Sequence, residues 1–160
     1  MPQGPKQEDT VRIGMGSDHA GFFLKETLEA QVTRHGHGVI DYGCDSPEPV
    51  DYPEVAGRLA QAVARGEVDR GILICGSGIG VSIAANKVPG ARAALVHEPV
   101  SAHLARAHND ANILCLGARM IGEDMARECV DAFLEGSFEG GRHEGRLRLI
   151  AALETPNPPR

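Results

Sequence analysis

The 160-residue chain has no tryptophan, and its six other aromatic rings are four phenylalanines and two tyrosines. No run of basic residues interleaves with them, and the net charge is −6, which argues against a nucleic-acid or anionic-membrane surface and for a small-molecule partner. Cysteine is also sparse. Cys44, Cys75, Cys115 and Cys129 form no C-x-x-C pair and no zinc spacing, so they read as free thiols of a reducing cytoplasm. The first ten residues lack the apolar segment of a signal peptide, and no apolar run approaches the roughly 20 residues of a membrane-spanning helix. One domain is expected at 11–154, large enough to bury a core without staples, with polar tails at 1–10 and 155–160.

Several chemical signatures are missing too. A P-loop needs Gly, four residues, then Gly-Lys-Ser/Thr, and no such string occurs. Gly76, Gly78 and Gly80 read G-x-G-x-G, with Val81 where a dinucleotide fingerprint has its third glycine. No H-E-x-x-H occurs, His103 and His108 are five apart, and His35 and His37 are two apart, so no helix presents a histidine pair to a metal.

What the chain does have is centred on residues 71–87. Ile72, Leu73 and Ile74 form the short apolar run of a strand buried on both faces, three glycines follow within five positions, and helix formers then resume. Such a strand, tight loop and helix start lets backbone N–H groups approach an anion. Cys75 and Ser77 stand at its rim, where the same local field stabilises a thiolate and makes it a usable base. On the loop alone, a plain turn with a buried structural cysteine is an equal reading.

The remaining pattern alternates strands with helices. Strands are predicted at 11–16, 38–42, 71–75, 92–96 and 113–116, and helices at about 22–34, 53–65, after residue 80, 99–107, 123–134 and 142–153. That order predicts an α/β, three-layer, Rossmann-like fold with a five-stranded, mostly parallel sheet. Polar residues gather where such sheets bind ligands, beyond the strands' carboxyl ends: Asp18 and His19, Asp41 and Tyr42, Cys75 and Ser77, His97 and Glu98, and Arg119. Asp41 sits where a dinucleotide fold binds a ribose hydroxyl, but no glycine fingerprint precedes it. Arg142 and Arg146, four apart on one helix face, suit a shared phosphate, or else form a solvated face with Glu144 and Arg148 as a surface pair. His108 is either a general acid or a structural residue of a helix-ending loop.

Five stretches in order resemble type B ribose-5-phosphate isomerases: Gly-Ser-Asp-His-Ala-Gly (16–21), Cys-Gly-Ser-Gly-Ile-Gly (75–80), Ala-Ala-Asn-Lys (84–87), Ala-His-Asn-Asp-Ala-Asn (107–112) and Glu-Gly-Gly-Arg-His (139–143). The fourth departs from the family at Ala107, where an arginine is expected. The resemblance spans about residues 11–154. It implies an aldose-to-ketose shift through an enediolate, with ribose 5-phosphate and ribulose 5-phosphate as the pair, placed in the pentose phosphate pathway. The wider family also includes isomerases of galactose, allose and tetrose phosphates. Outside it, the rival class is a non-catalytic nucleotide-binding module on the same sheet.

Carried over residue by residue, the resemblance makes Cys75 the base. Another branch of the family instead uses a Glu at the position of Val81, which is apolar here. Ser77 and the N–H groups of Gly76, Gly78, Ile79 and Gly80 become the oxyanion cradle. His108, assisted by Asp18, becomes the ring opener and Asn109 a sugar contact. His19, Arg142 and Arg146, with Arg119, become the phosphate clamp. No metal or organic cofactor is implied. The family is homodimeric, with tetramers possible in principle, and the His108–Asn109 pair and the arginines are expected to reach the partner's cysteine loop.

Overall fold

The computed structural model describes residues 10–154, so the two expected tails lie outside the described residues except for Thr10. Five strands, β1 (Arg12–Ser17), β2 (Gly38–Asp41), β3 (Arg70–Cys75), β4 (Ala93–Leu95) and β5 (Ile113–Gly117), form one sheet in the order β2-β1-β3-β5-β4. Every neighbouring pair is parallel, where mostly parallel was expected. The helices are α1 (Phe22–Arg34), α2 (Tyr52–Ala64), α3 (Ile79–Ala85), α4 (Pro99–Asn109), α5 (Glu123–Glu135) and α6 (Arg142–Ala152). No helix among the described residues is long and apolar enough to cross a membrane.

The alternation of β3 explains the two-sided core. Ile72 and Ile74 point into a layer made by Leu28 and Val32 of α1 and by Ala126, Cys129, Val130 and Phe133 of α5. Leu73 and Cys75 point the other way, among Val55, Leu59 and Val63 of α2 and Val81 and Ala85 of α3. A strand buried on both faces has no room for polar side chains, which is why its sequence is a continuous apolar run.

Local chemistry fixes the helix ends. Pro53 and Pro99 occupy first turns, where a missing N–H costs nothing. The Glu98 carboxylate accepts from the N–H groups of Val100 (2.7 Å) and Ser101 (2.9 Å), so this residue caps α4 instead of serving a ligand. Helix α4 also runs two residues beyond the expected end at Ala107, which places His108 and Asn109 in its last turn. Asp110 then turns left-handed (φ 46°) and its carboxylate accepts from Arg106 at 2.9 Å, holding that turn.

Strand order reverses between β1 and β3: β2 lies outside β1 on one side, and β3 begins the run to the other. Such a switch point leaves a crevice at the carboxyl ends of the strands it separates. The residues that follow those two strands are Asp18 and Gly76.

Candidate active site

The β1–β3 register pairs Ser17 with Ile74, and the Asp18 N–H donates to the Ile74 carbonyl at 3.1 Å, so Asp18 and Cys75 come side by side at the switch point. Asp18 is nearly buried and caps a single 3-10 turn, accepting on one carboxylate oxygen from Ala20 N–H (3.0 Å) and Gly21 N–H (3.2 Å). Next to it, the Cys75 sulfur accepts the Gly78 N–H at 3.1 Å. That contact requires Gly78 to be left-handed (φ 77°), and a β-carbon there would stand 2.8 Å from the carbonyl carbon of Leu116. Ser77 Oγ accepts from Ile79 N–H at 3.1 Å and closes the loop onto α3.

The last strand completes the rim. Ala118 N–H donates to the Cys75 carbonyl (2.8 Å) and Arg119 N–H to the Gly76 carbonyl (2.9 Å), which brings the Arg119 guanidinium over Gly76. A cleft of about 560 Å³ results, lined by Asp18, Tyr52, Cys75, Gly76, Ser77, Ile79, Gly80, Ile83, Arg119 and Met120. Tyr52, Ile83 and Met120 were not singled out from sequence. Tyr52 lies so close over Gly80 that a β-carbon there would be 2.5 Å from the ring, so the glycine admits the tyrosine. The thiols differ in setting. Cys75 alone of the four lines this cleft, whereas burial, with Cys75 adding to it, pushes the Cys115 thiol far above its ordinary range. Burial and the charges of Glu98 and Glu128 push Cys129 up to about 11.

The other expected residues lie elsewhere. His108 ends α4 just before β5, whose first residue, Ile113, pairs with Gly71 at the start of β3. Cys75 pairs with Gly117 at the far end of β5. About 13 Å of strand separates those levels at the usual rise. His108, Asn109, Arg142 and Arg146 do not line the cleft, and Arg142 and Arg146 are exposed at the start of α6 without a hydrogen-bond partner among the described residues. No Glu144–Arg148 ion pair forms among the described residues either. His19 lies beside Asp18 but its Nδ1 accepts from Val50 N–H at 3.3 Å, fixing the loop before α2.

A second polar cluster surrounds His108. The His143 ring stacks on it, with centroids 4.4 Å apart and an interplanar angle of 16°. The Glu139 carboxylate stands 3.8 Å from His108 Nε2 and 3.6 Å from His143 Nε2. Burial, the neighbouring His108 and Arg142 hold His143 below the ordinary histidine range. Asp41 also has a structural partner that the sequence did not reveal: buried Lys25 donates to both its oxygens at 2.7 Å and to the Cys44 carbonyl at 2.7 Å. His97 is exposed, and neither it nor Tyr42 lines the cleft.

The family described as Ribose/Galactose Isomerase matches residues 13–150. The chain belongs to this family. Ribose-5-phosphate isomerase B of Escherichia coli (strain K12) is 51% identical over 143 residues, covering 89% of this chain and 96% of that protein. D-erythrulose-4-phosphate isomerase of Pectobacterium atrosepticum is 43% identical over 145 residues, or 90% of this chain and 95% of that one. The crystal structure of ribose-5-phosphate isomerase B from Mycoplasma genitalium with bound ribulose-5-phosphate superposes with a TM-score of 0.86 at 41% identity, covering 89% of this chain and 95% of that chain. The chain thus has the three-layer fold of a sugar-phosphate aldose-ketose isomerase family.

Proposed function

We propose that this chain interconverts ribose 5-phosphate and ribulose 5-phosphate, with Cys75 as the base. The observation that carries the reading is the cysteine loop: a thiol that takes the Gly78 N–H at 3.1 Å and opens into a cleft beside Asp18, in a chain of this family. The thiolate takes the C2 proton of the open aldose, the Ser77 hydroxyl and the loop N–H groups stabilise the enediolate oxygens, and the proton returns to C1 while another moves from O2 to O1. Atoms and charge balance without an external acceptor, and this reading assigns no metal or organic cofactor to the turnover. Arg119 stands over Gly76, where it adds positive charge to the same cleft.

The residues missing from the cleft are supplied by a second subunit in this reading. His108 and Asn109 would open the furanose ring and hold the sugar, and Arg142 and Arg146, with His19 on the cysteine side, would clamp the phosphate. The separation along the sheet supports a homodimer with two shared sites, since one chain does not bring His108 to its own Cys75. Tetramers would be pairs of such dimers. We further read 11–154 as a single isomerase domain working in the cytoplasm, where the four free thiols stay reduced.

Ketose formation by the purified, chelator-treated protein tests the activity. Rates on ribose 5-phosphate, erythrose 4-phosphate and six-carbon aldose phosphates should favour the pentose. A faster tetrose would transfer the assignment to the chemistry named for the Pectobacterium relative, and no ketose from any of them, together with a nucleotide-induced thermal shift, would return the sheet to nucleotide binding.

A further inference from the structure

Two side chains packed beside His108 take no part in the reaction as described so far. His143, in the first turn of α6, is 6% exposed, and its ring lies flat on that of His108 with the planes 16° from parallel. One Glu139 carboxylate oxygen faces both rings, 3.8 Å from His108 Nε2 and 3.6 Å from His143 Nε2. The backbone builds this arrangement. Glu139 N–H donates to the Ala107 carbonyl at 3.0 Å, which ties the loop before α6 to the last turn of α4, and the positive φ of Gly140 (68°) and Gly141 (58°) bring the chain round until His143 meets His108. His143 Nε2 is buried with no hydrogen-bond partner among the described residues. A buried polar atom left unpartnered costs stability, so a second imidazole at this place needs a reason other than stability.

We propose that Glu139 and His143 are positioning residues for ring opening, His143 as an uncharged plate that fixes the plane of the His108 ring and Glu139 as the anion that faces its Nε2. The inference rests on the ring-opening role given to His108. Opening the furanose delivers one proton to the ring oxygen and takes one from O1. His108 gives the first and regains the second, so its ring passes from imidazolium to imidazole and back with no net gain of protons. A histidine that alternates in this way works best when a third group orients it and a carboxylate stands by its charged form. The stacked pair can carry one positive charge without repulsion, and the setting decides which ring carries it. Burial, the neighbouring His108 and Arg142 hold His143 below the ordinary histidine range, which leaves it neutral near pH 7. His108 is the more exposed ring of the two and is free to reach a sugar on the partner's side.

Steady-state rates on ribose 5-phosphate and erythrose 4-phosphate test this for Glu139→Gln, His143→Ala and His143→Phe, each alone and in the His108→Asn background. Glu139→Gln should lower kcat on ribose 5-phosphate by about tenfold, the low end for a charge-assisted contact because the side chain is 57% exposed. KM and erythrose 4-phosphate turnover should stay as in the wild type. His143→Ala should show the same split between the sugars, and His143→Phe, which keeps a flat ring under His108, should restore most of the loss. In the His108→Asn background neither position should cost anything further, since a residue that acts through another loses its effect with it. Equal losses on both sugars, a change in KM alone, or a loss that persists in the His108→Asn background would give these residues a structural or phosphate-binding role and overturn the proposal. A Phe variant as poor as Ala would make the His143 nitrogen itself a participant and overturn the plate. Should His143→Ala fail to fold, Glu139→Gln, on an exposed side chain, still decides. If His108→Asn itself costs both sugars alike, the ring-opening role fails and takes this inference with it; if His108→Asn shows the split and Glu139→Gln does not, only the positioning role falls.

Discussion

The cysteine cleft and the His108 cluster sit at opposite ends of one sheet, and they are built in opposite ways. The cleft is made largely by backbone: Gly78 N–H on the thiol, Ser77 on the start of α3, and the Arg119 and Ala118 amides on the carbonyls of Gly76 and Cys75. The cluster is made by side chains from the end of α4, the loop before α6 and the first turn of α6, two stacked rings beside a carboxylate with no hydrogen bond between these side chains among the described residues. A centre that stabilises developing charge profits from rigid amide donors, which need no reorganisation during reaction. A centre that delivers protons and grips a phosphate from another subunit profits from longer, charged groups at a surface. The proposed division of labour between the two centres accords with that contrast.

The largest effect should come from Cys75→Ser, which removes the base and leaves the loop's backbone intact. We expect at least a roughly hundredfold fall in kcat on both ribose 5-phosphate and erythrose 4-phosphate, with the melting temperature little changed. Iodoacetamide should label Cys75 first and substrate should slow it; equal labelling of all four cysteines would erase the distinction between the cleft and the core thiols.

His108→Asn should cut ribose 5-phosphate turnover by about a hundredfold, the scale of a lost general acid. Erythrose 4-phosphate cannot close a furanose, because the hydroxyl that would close it carries the phosphate, so its turnover should largely survive. Equal losses on the two sugars would move His108 into the enolisation step and merge the two centres.

Arg142→Ala and Arg146→Ala should act on binding. Each loses a charge-assisted contact worth roughly 1.5–3 kcal/mol, so KM should rise about 10- to 150-fold with kcat little altered. An unchanged KM would return both to the solvated helix face considered from sequence.

The smallest effect is on stability and belongs to neither centre. Burial, helped by a hydrogen bond to Asp41, pushes Glu29 up to about 7. Burial opposes ionisation of Asp41 as well, but the Lys25, Glu29 and Gly43 donors outweigh it and hold that carboxyl below its ordinary range. A raised carboxyl contributes stability that is full below its unfolded pKa of about 4.5 and is lost as pH rises through about 7. Asp41 has the opposite sign and acts at lower pH. The melting temperature of the wild type relative to Glu29→Gln should therefore fall between roughly pH 5 and 8; a constant difference across that range would place an ionised Glu29 in the fold.

The contrast also explains what could be read in the sequence. Strand β3 and its glycine loop were legible because a doubly buried strand and a tight turn each demand a local composition, and Asp18, Cys75, Ser77 and Arg119 follow strand ends that periodicity marks. Helix α4 was cut short at Ala107 because the Arg106–Asp110 pair that holds its last turn is a side-chain contact with no periodic signature. Lys25 carries no signal of its burial, since its partner Asp41 ends a different element and only the packing of α1 on β2 joins them. Tyr52 was missed for the same reason: its place over Gly80 depends on how α2 lies against α3. His143 stood inside a quoted stretch, but its stacking on His108 needs the fold. Spacing finds what one segment does alone, and misses what two distant segments do together.

The central claim is that a working site takes its base from one subunit and its ring opener from the other. Refolding Cys75→Ser and His108→Asn together, in equal amounts, tests it directly. Random pairing makes half of the dimers mixed, and each mixed dimer holds one site with both residues intact, so ribose 5-phosphate turnover should recover to about a quarter of the wild-type rate. A refolded mixture no more active than its two parents would contradict the account.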